Sequence, residues 1–138
     1  MDFKQCLDKL EAAGRLVRVR SEVDLVHELA GVARKFEGKE VVVFDKIKGH
    51  DLPLAMGLWW NRDNLAHLFF FFSTDLPGLF ASAVKSLRAA PVAPVVTDNA
   101  PAREKIMSAP DLTRIPVPTL ALKDGGPYFD NCVVIAKD

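Results

Sequence analysis

The chain has 138 residues, the usual size of one domain, and is long enough to bury roughly two thirds of the surface its unfolded form exposes. Lysine plus arginine and aspartate plus glutamate number 18 each, balanced in both halves, so neither a nucleic acid nor an acidic membrane surface is the default partner. The longest unbroken apolar run, residues 68–72, is far too short to span a bilayer, so no transmembrane segment is expected.

Phe3, Leu7, Leu10 and Ala13 recur at helical spacing, with Gly14 placed to end the helix. Leu16, Val17 and Val19 then alternate with arginines as a short strand. A second helix is predicted through LVHELAGVARKF, capped by Asp24 or Ser21 and closed by Gly38. Residues 41–44 read as a buried strand, Gly49 as a reversal, and residues 52–58 as the returning strand. Asn61 is placed to cap a third helix in which Leu65, Leu68 and Phe72 share a stripe, and a fourth runs from about Pro77 to Ala90. Beyond it the pattern breaks up. A short strand is predicted near Thr97, one or two helical turns in REKIMSA, and an extended run at residues 115–118, where proline disfavours the helical region in the residue before it. Six of the nine prolines lie between Pro91 and Pro118, which suggests a connecting arm on a surface. A last apolar strand, residues 131–136, follows the turn at Gly125 and Gly126. The succession predicts an α/β layered domain on a small mixed sheet, then an arm and one orphan strand.

No complete active site can be read from these residues. The phenylalanines at 69–72 cover nearly the whole circumference of a helix, so they are buried on both sides within the domain or meet protein beyond it. His27, His50 and His67 are scattered, with no i, i+4 partner and no Cys-x-x-Cys nearby, so solvated or packed roles are expected over metal binding or catalysis. No Gly-x-Ser-x-Gly elbow is present. Gly125 and Gly126 precede no helix, so they carry no phosphate-binding signal. Asp130 and Asn131 open the terminal strand, either bonding turn amides or standing at a pocket rim. Cys6 and Cys132 lie far apart, and MDFKQCLDKL has neither a basic leader nor an apolar h-region. A cytoplasmic protein with reduced thiols is therefore expected.

Several stretches in order, the opening helix before RLVRV, EVDLVHELAGVARKF, VVVFDKIKGHDLPLAMGLW and IPVPTLALKDGGPYF with CVVIAKD after it, make the chain resemble the amino-terminal part of the UbiD family of decarboxylases. The resemblance covers essentially all 138 residues. It implies a non-oxidative, reversible decarboxylation of an aromatic or α,β-unsaturated carboxylic acid. The implied cofactor is prenylated FMN, made by a partner flavin prenyltransferase and held with Mn2+ and K+.

The same resemblance divides the chain into an N-terminal α/β domain, residues 1–110, and residues 111–138, a connecting arm and the entry strand of a split β-barrel that binds the flavin. Asp130 and Asn131 fall at the implied cofactor-binding positions, although the family commonly has threonine where Asp130 stands. The family's catalytic Glu-Arg-Glu set and its metal ligands correspond to positions after Asp138, so no catalytic or metal residue is assigned here. The expectation is the N-terminal part of such an enzyme, inactive and without cofactor by itself, which depends on the barrel and C-terminal regions or on a partner subunit. The alternative is a non-catalytic binding subunit, homo-oligomeric or docked onto a partner through the Phe69 to Phe72 helix and the terminal edge strand.

Overall fold

The computed structural model describes residues 2–68, 75–100 and 104–129. The four phenylalanines at 69–72, Cys132, and Asp130 and Asn131 with the rest of the predicted terminal strand lie outside the described residues.

Asp2 opens helix α1 (Phe3–Ala12) with a capping box: its carboxylate accepts the Gln5 amide at 2.8 Å, and the Gln5 side chain accepts the Asp2 amide at 3.1 Å. Donors that a helix start leaves without partners are satisfied in this way. Gly14, at φ 67°, turns the chain into strand β1 (Leu16–Val19).

Helix α2 (Glu28–Ala33) is shorter than its apolar pattern predicts and continues as a 3-10 turn at Arg34–Phe36. Neither Ser21 nor Asp24 caps it, because the backbone before it is engaged elsewhere. Val23 forms a parallel bridge with Ile47, and Val26 forms one with Thr119. Asp24 accepts the Val26 amide at 2.9 Å, a local turn that competes with helix initiation.

Strand β2 (Val41–Phe44) is buried at all four positions, as its unbroken apolar run predicts. It pairs parallel with β1, from Leu16↔Val41 to Val19↔Phe44, and antiparallel with β3 (Leu54–Met56). The sheet order is β1-β2-β3, the small mixed sheet expected. The returning strand is shorter than residues 52–58 because Gly57, at φ 87°, turns the chain away.

Alternate side chains of β2 serve two cores. Val42 and Phe44 pack with Leu29 and Ala33 of α2, and with Val23, Ile47 and Leu54. Val41 and Val43 pack with Leu10 of α1 and with Leu16, next to Leu68 at the end of helix α3 (Arg62–Leu68). The period of two along a strand makes this division. Trp60 joins the first core while the adjacent Trp59 is exposed.

Helix α4 (Leu76–Ala89) starts at Asp75, whose carboxylate accepts the Gly78 amide at 3.0 Å, and has a proline in its first turn. It buries only Leu76. Past it, the strand predicted near Thr97 is not formed: Val92, Val95 and Val96 are exposed, in backbone without strand pairing. Pro91 and Pro94 withhold amide donors there. The helical turns predicted in REKIMSA are likewise absent over residues 104–108; a 3-10 turn forms later, at Leu112–Arg114, where the Asp111 carboxylate accepts the Thr113 amide at 3.0 Å. Residues 115–118 run extended, as their prolines require, with Pro116 and Pro118 buried. Among the described residues no helix is long and apolar enough to cross a membrane.

Candidate functional site

The residues that lead up to position 130 are held in a defined place. Thr119 pairs with the chain ahead of α2: its amide donates to the Leu25 carbonyl at 3.2 Å, and its carbonyl accepts the His27 amide at 3.0 Å. Beyond it, the Asp124 carboxylate accepts the amides of Leu120 at 3.0 Å and Ala121 at 2.6 Å, while the Asp124 amide donates to the Ala121 carbonyl at 3.1 Å. Aspartate suits this position because its short side chain reaches the backbone of its own turn. The Tyr128 amide then donates to the Pro118 carbonyl at 3.1 Å, folding the chain back before Tyr128 and Phe129, both partly exposed.

Gly125 and Gly126 lie within this turn. Neither takes a left-handed conformation, and a Cβ on either would meet nothing within 4 Å. The turn itself does not demand glycine there; the two residues leave a stretch of backbone open to close approach from outside.

Two histidines hold the segment at separate points. His27 Nε2 lies 3.2 Å from the Ala121 carbonyl, and His50 Nδ1 lies 3.3 Å from the Arg114 carbonyl. A carbonyl only accepts, so each of these ring nitrogens carries the hydrogen. His67 is exposed on α3. Solvated or packed roles are the expectation for the histidines, and His27 and His50, half-buried, each meet a backbone carbonyl; their hold on residues 114–121 is not legible in the sequence, since nothing local pairs residue 27 with 121.

A second constellation is structural. Asn61 accepts the Asn64 amide at 2.8 Å, the cap its position predicts, and donates to the carbonyls of Gly38 at 3.1 Å and Lys39 at 2.6 Å. Asn64, fully buried, also donates to Lys39, at 3.2 Å, and accepts from Arg15 at 3.5 Å. With its polar atoms satisfied, this cluster ties α3 to the turn before β2 and offers no unpaired group to a ligand. Arg18 joins Glu11 at 3.0 Å and Asp45 at 2.9 Å, and those two carboxylates, Glu11 first, raise its pKa above the ordinary guanidinium value. An apolar groove of about 310 Å³ opens between the β2–β3 turn at Leu52 and residues Met107, Leu112 and Ile115.

Among the described residues no three His, Cys, Asp or Glu side chains are grouped to hold a metal ion. The described donor set alone therefore does not make a metal centre, and the backbone at Gly125 and Gly126, uncrowded at both Cα positions, leaves room beside it. Asp130 and Asn131, the positions assigned to cofactor contact, lie outside the described residues.

A family model described as the 3-octaprenyl-4-hydroxybenzoate carboxy-lyase N-terminal domain matches residues 7–76. The chain is 50% identical to an uncharacterized protein in the cooM 5' region of Rhodospirillum rubrum, over 99% of this chain and 30% of that protein. It is 31% identical to the pyrrole-2-carboxylic acid decarboxylase of Pseudomonas aeruginosa, over 94% of this chain and 29% of the enzyme. The fold superposes with a TM-score of 0.73 on the UbiD-class enzyme HmfF from Pelotomaculum thermopropionicum, solved in complex with FMN, at 31% identity over 90% of this chain and 28% of that one. The chain thus spans under a third of the length of each of these relatives.

Proposed function

Because the chain belongs to the UbiD family of carboxy-lyases, we propose that it is the N-terminal part of a non-oxidative, reversible decarboxylase of aromatic or α,β-unsaturated carboxylic acids that works with prenylated FMN. The observation that carries this reading is the superposition of 90% of the chain on an enzyme solved with FMN. Prenylated FMN supplies a sink for the electron pair left when carbon dioxide departs, which protein side chains do not provide.

In this reading residues 1–110 form the N-terminal α/β domain and wall one side of the cleft. Residues 111–138 are the connecting arm and the entry strand of the flavin-binding barrel, and Asp130 and Asn131 are flavin contacts. The open backbone at Gly125 and Gly126 supports the reading, since it lets a flat ligand or a neighbouring strand come close. Mn2+, K+ and the catalytic acid and base belong to the regions the relatives possess beyond the matched third. A flavin prenyltransferase supplies the cofactor, and the cytoplasm is where the protein works.

The test is an assay with reconstituted prenylated FMN, Mn2+ and K+ across a panel of aromatic and enoic acids. The 138 residues alone are expected to give no turnover, and the same chain extended by the remaining regions of a close relative to give it. Turnover by the short chain would overturn the proposal, as would an extended chain that binds the flavin and releases no carbon dioxide from any member of the panel.

A second reading, a non-catalytic subunit that docks onto a partner, is favoured by α4. Val84 and Leu87 lie on one face of this helix and are about half exposed. A 14-residue helix is marginal in water without packing on its apolar face. Sedimentation at micromolar concentration separates the readings: a persistent monomer that takes up no apolar dye removes the second.

A further inference from the structure

Residues 114–121 meet the sheet domain at two histidines and one strained backbone position. His27 is the one non-glycine residue with positive φ among the described residues, at φ 65° and ψ −33°. The Glu28 amide donates across it to the Val26 carbonyl at 2.8 Å, which makes residues 26–28 a γ-turn of the rare, strained hand. Strain of this kind persists only where the surroundings over-determine it. Here they do. The His27 amide is bonded to Thr119, its ring to Ala121, and Ala121 is fixed in turn by Asp124. At the other end His50 holds the Arg114 carbonyl, and Arg114 lies 3.5 Å from Asp51. Between the two rings the chain buries Pro116 and Pro118, which have no amide to offer the domain. The histidines bond the carbonyls on either side of that proline run.

We propose that His27 and His50 are a two-point latch: positioning residues whose ring N–H groups seat residues 114–121 against the sheet domain and thereby set where the turn up to Phe129 lies. The latch rests on the reading above only for the use made of that placement; the seating itself is a property of this chain. Two features give it a signature that general packing would not. The rings are held in opposite tautomers, Nε2–H at His27 and Nδ1–H at His50. The two requirements at position 27, a positive φ and a donor that reaches Ala121, also separate by substitution. His27→Gln keeps a donor at similar reach, His27→Gly relieves the strain without a donor, and His27→Ala does neither.

The experiment is amide hydrogen exchange by NMR on the full chain, read at Thr119 and compared with Val41 to Phe44 in the sheet, with long-range proton–nitrogen spectra of the neutral rings recorded at alkaline pH. Expected are an Nδ1–H ring at His50 and an Nε2–H ring at His27. Exchange at Thr119 should be about fivefold faster for each ring hydrogen bond removed in His27→Ala and His50→Ala, faster still in the double variant, with the sheet amides unchanged and His27→Gln partly restored. Unchanged exchange at Thr119 in the double variant, sheet amides loosened as much as Thr119, no gain in His27→Gln over His27→Ala, or an Nε2–H ring at His50 would each overturn the latch. Flavin plays no part in this readout. A latch that holds in this chain, while the extended chain of the assay above releases no carbon dioxide, would retire the functional reading and leave the latch standing.

Discussion

The stretch that holds the sheet and the stretch that follows α4 are kept in place by different forces. Val41 to Phe44 lie between helices on both faces, and their apolar surface is withdrawn from water at about 25 cal/mol for each Å². Residues 91–100 bury almost nothing, and residues 111–129 are held by named hydrogen bonds: Asp111 to Thr113, His50 to Arg114, Thr119 to Leu25, Asp124 to its own turn. Burial is non-directional and tolerates small shifts. A hydrogen-bonded seat depends on single atoms, so the first region is expected to survive changes that release the second.

The largest contrast comes from deleting one side chain in each region. Phe44 is fully buried between α2 and β3, and Phe44→Ala is expected to cost about 3–5 kcal/mol, a large share of a small domain's stability. Val95→Ala, at an exposed position, should stay within about 0.5 kcal/mol. Urea unfolding of both variants checks the pair, and comparable losses would show that the second stretch carries apolar packing of its own.

Gly57→Ala comes next. Residue 57 has φ 87°, and a Cβ there would run into the indole of Trp60, itself part of the first core. Backbone strain and overpacking together should cost about 2 kcal/mol, read as a lower urea midpoint with an unchanged slope. A second substitution, Trp60→Leu, should return part of that loss if the clash is its cause.

How far the sequence discloses these two regions follows from the same physics. β1, β2 and the cap at Asn61 are legible because their signals are local: a run of four apolar residues, an alternation with arginine, an asparagine ahead of a helix. The early start predicted for α2 fails because Val23 and Val26 pair with Ile47 and Thr119, partners distant in sequence. The predicted strand near Thr97 fails for the converse reason: Val95 and Val96 have the propensity, and among the described residues no strand edge comes to meet them. Asn64 and His27 are invisible for a third reason, since the partners that give them meaning, Lys39, Arg15 and Ala121, are brought near only by the fold. Of the candidate site, the turn at Gly125 and Gly126 could be read; Asp124, which bonds the turn amides, and the histidines that seat it could not.

Asn64 offers a smaller effect that sharpens the comparison, because it is a hydrogen-bonded element inside the buried region. Asn64→Ala removes the acceptor for Arg15 and one donor to Lys39, and is expected to cost about 1–3 kcal/mol. Asn61 still donates to Lys39, so the Lys39 carbonyl keeps a partner and the lower part of that range is favoured. Hydrogen exchange at Val41 should then rise with global unfolding, not ahead of it. Local opening at Val41 alone would place Asn64 among the seats instead of the core.

The smallest effect is electrostatic, and it acts where the two regions meet. Asp24 has its pKa lowered from the ordinary 3.8, first by the Val26 amide and then by Lys48, and Asp111 has its own lowered by the Thr113 hydroxyl and amide. Both carboxylates are favoured in their charged form by the folded chain. Their contribution is complete above the ordinary value and is lost as pH falls through it toward the lowered folded values. The apolar core around Phe44 contains no titrating group, so acid should loosen residues 23–27 and 111–129 before it loosens the sheet. Asp24→Asn keeps an oxygen to accept the Val26 amide but gives up the charge that Lys48 meets at 3.2 Å. Limited proteolysis at pH 6 and near pH 3.5 should therefore show cleavage around residue 119 that is acid-dependent in the parent chain and less so in Asp24→Asn. Equal acid sensitivity in the two proteins would move the effect from Asp24 to Asp111, where Asp111→Asn should then reproduce it.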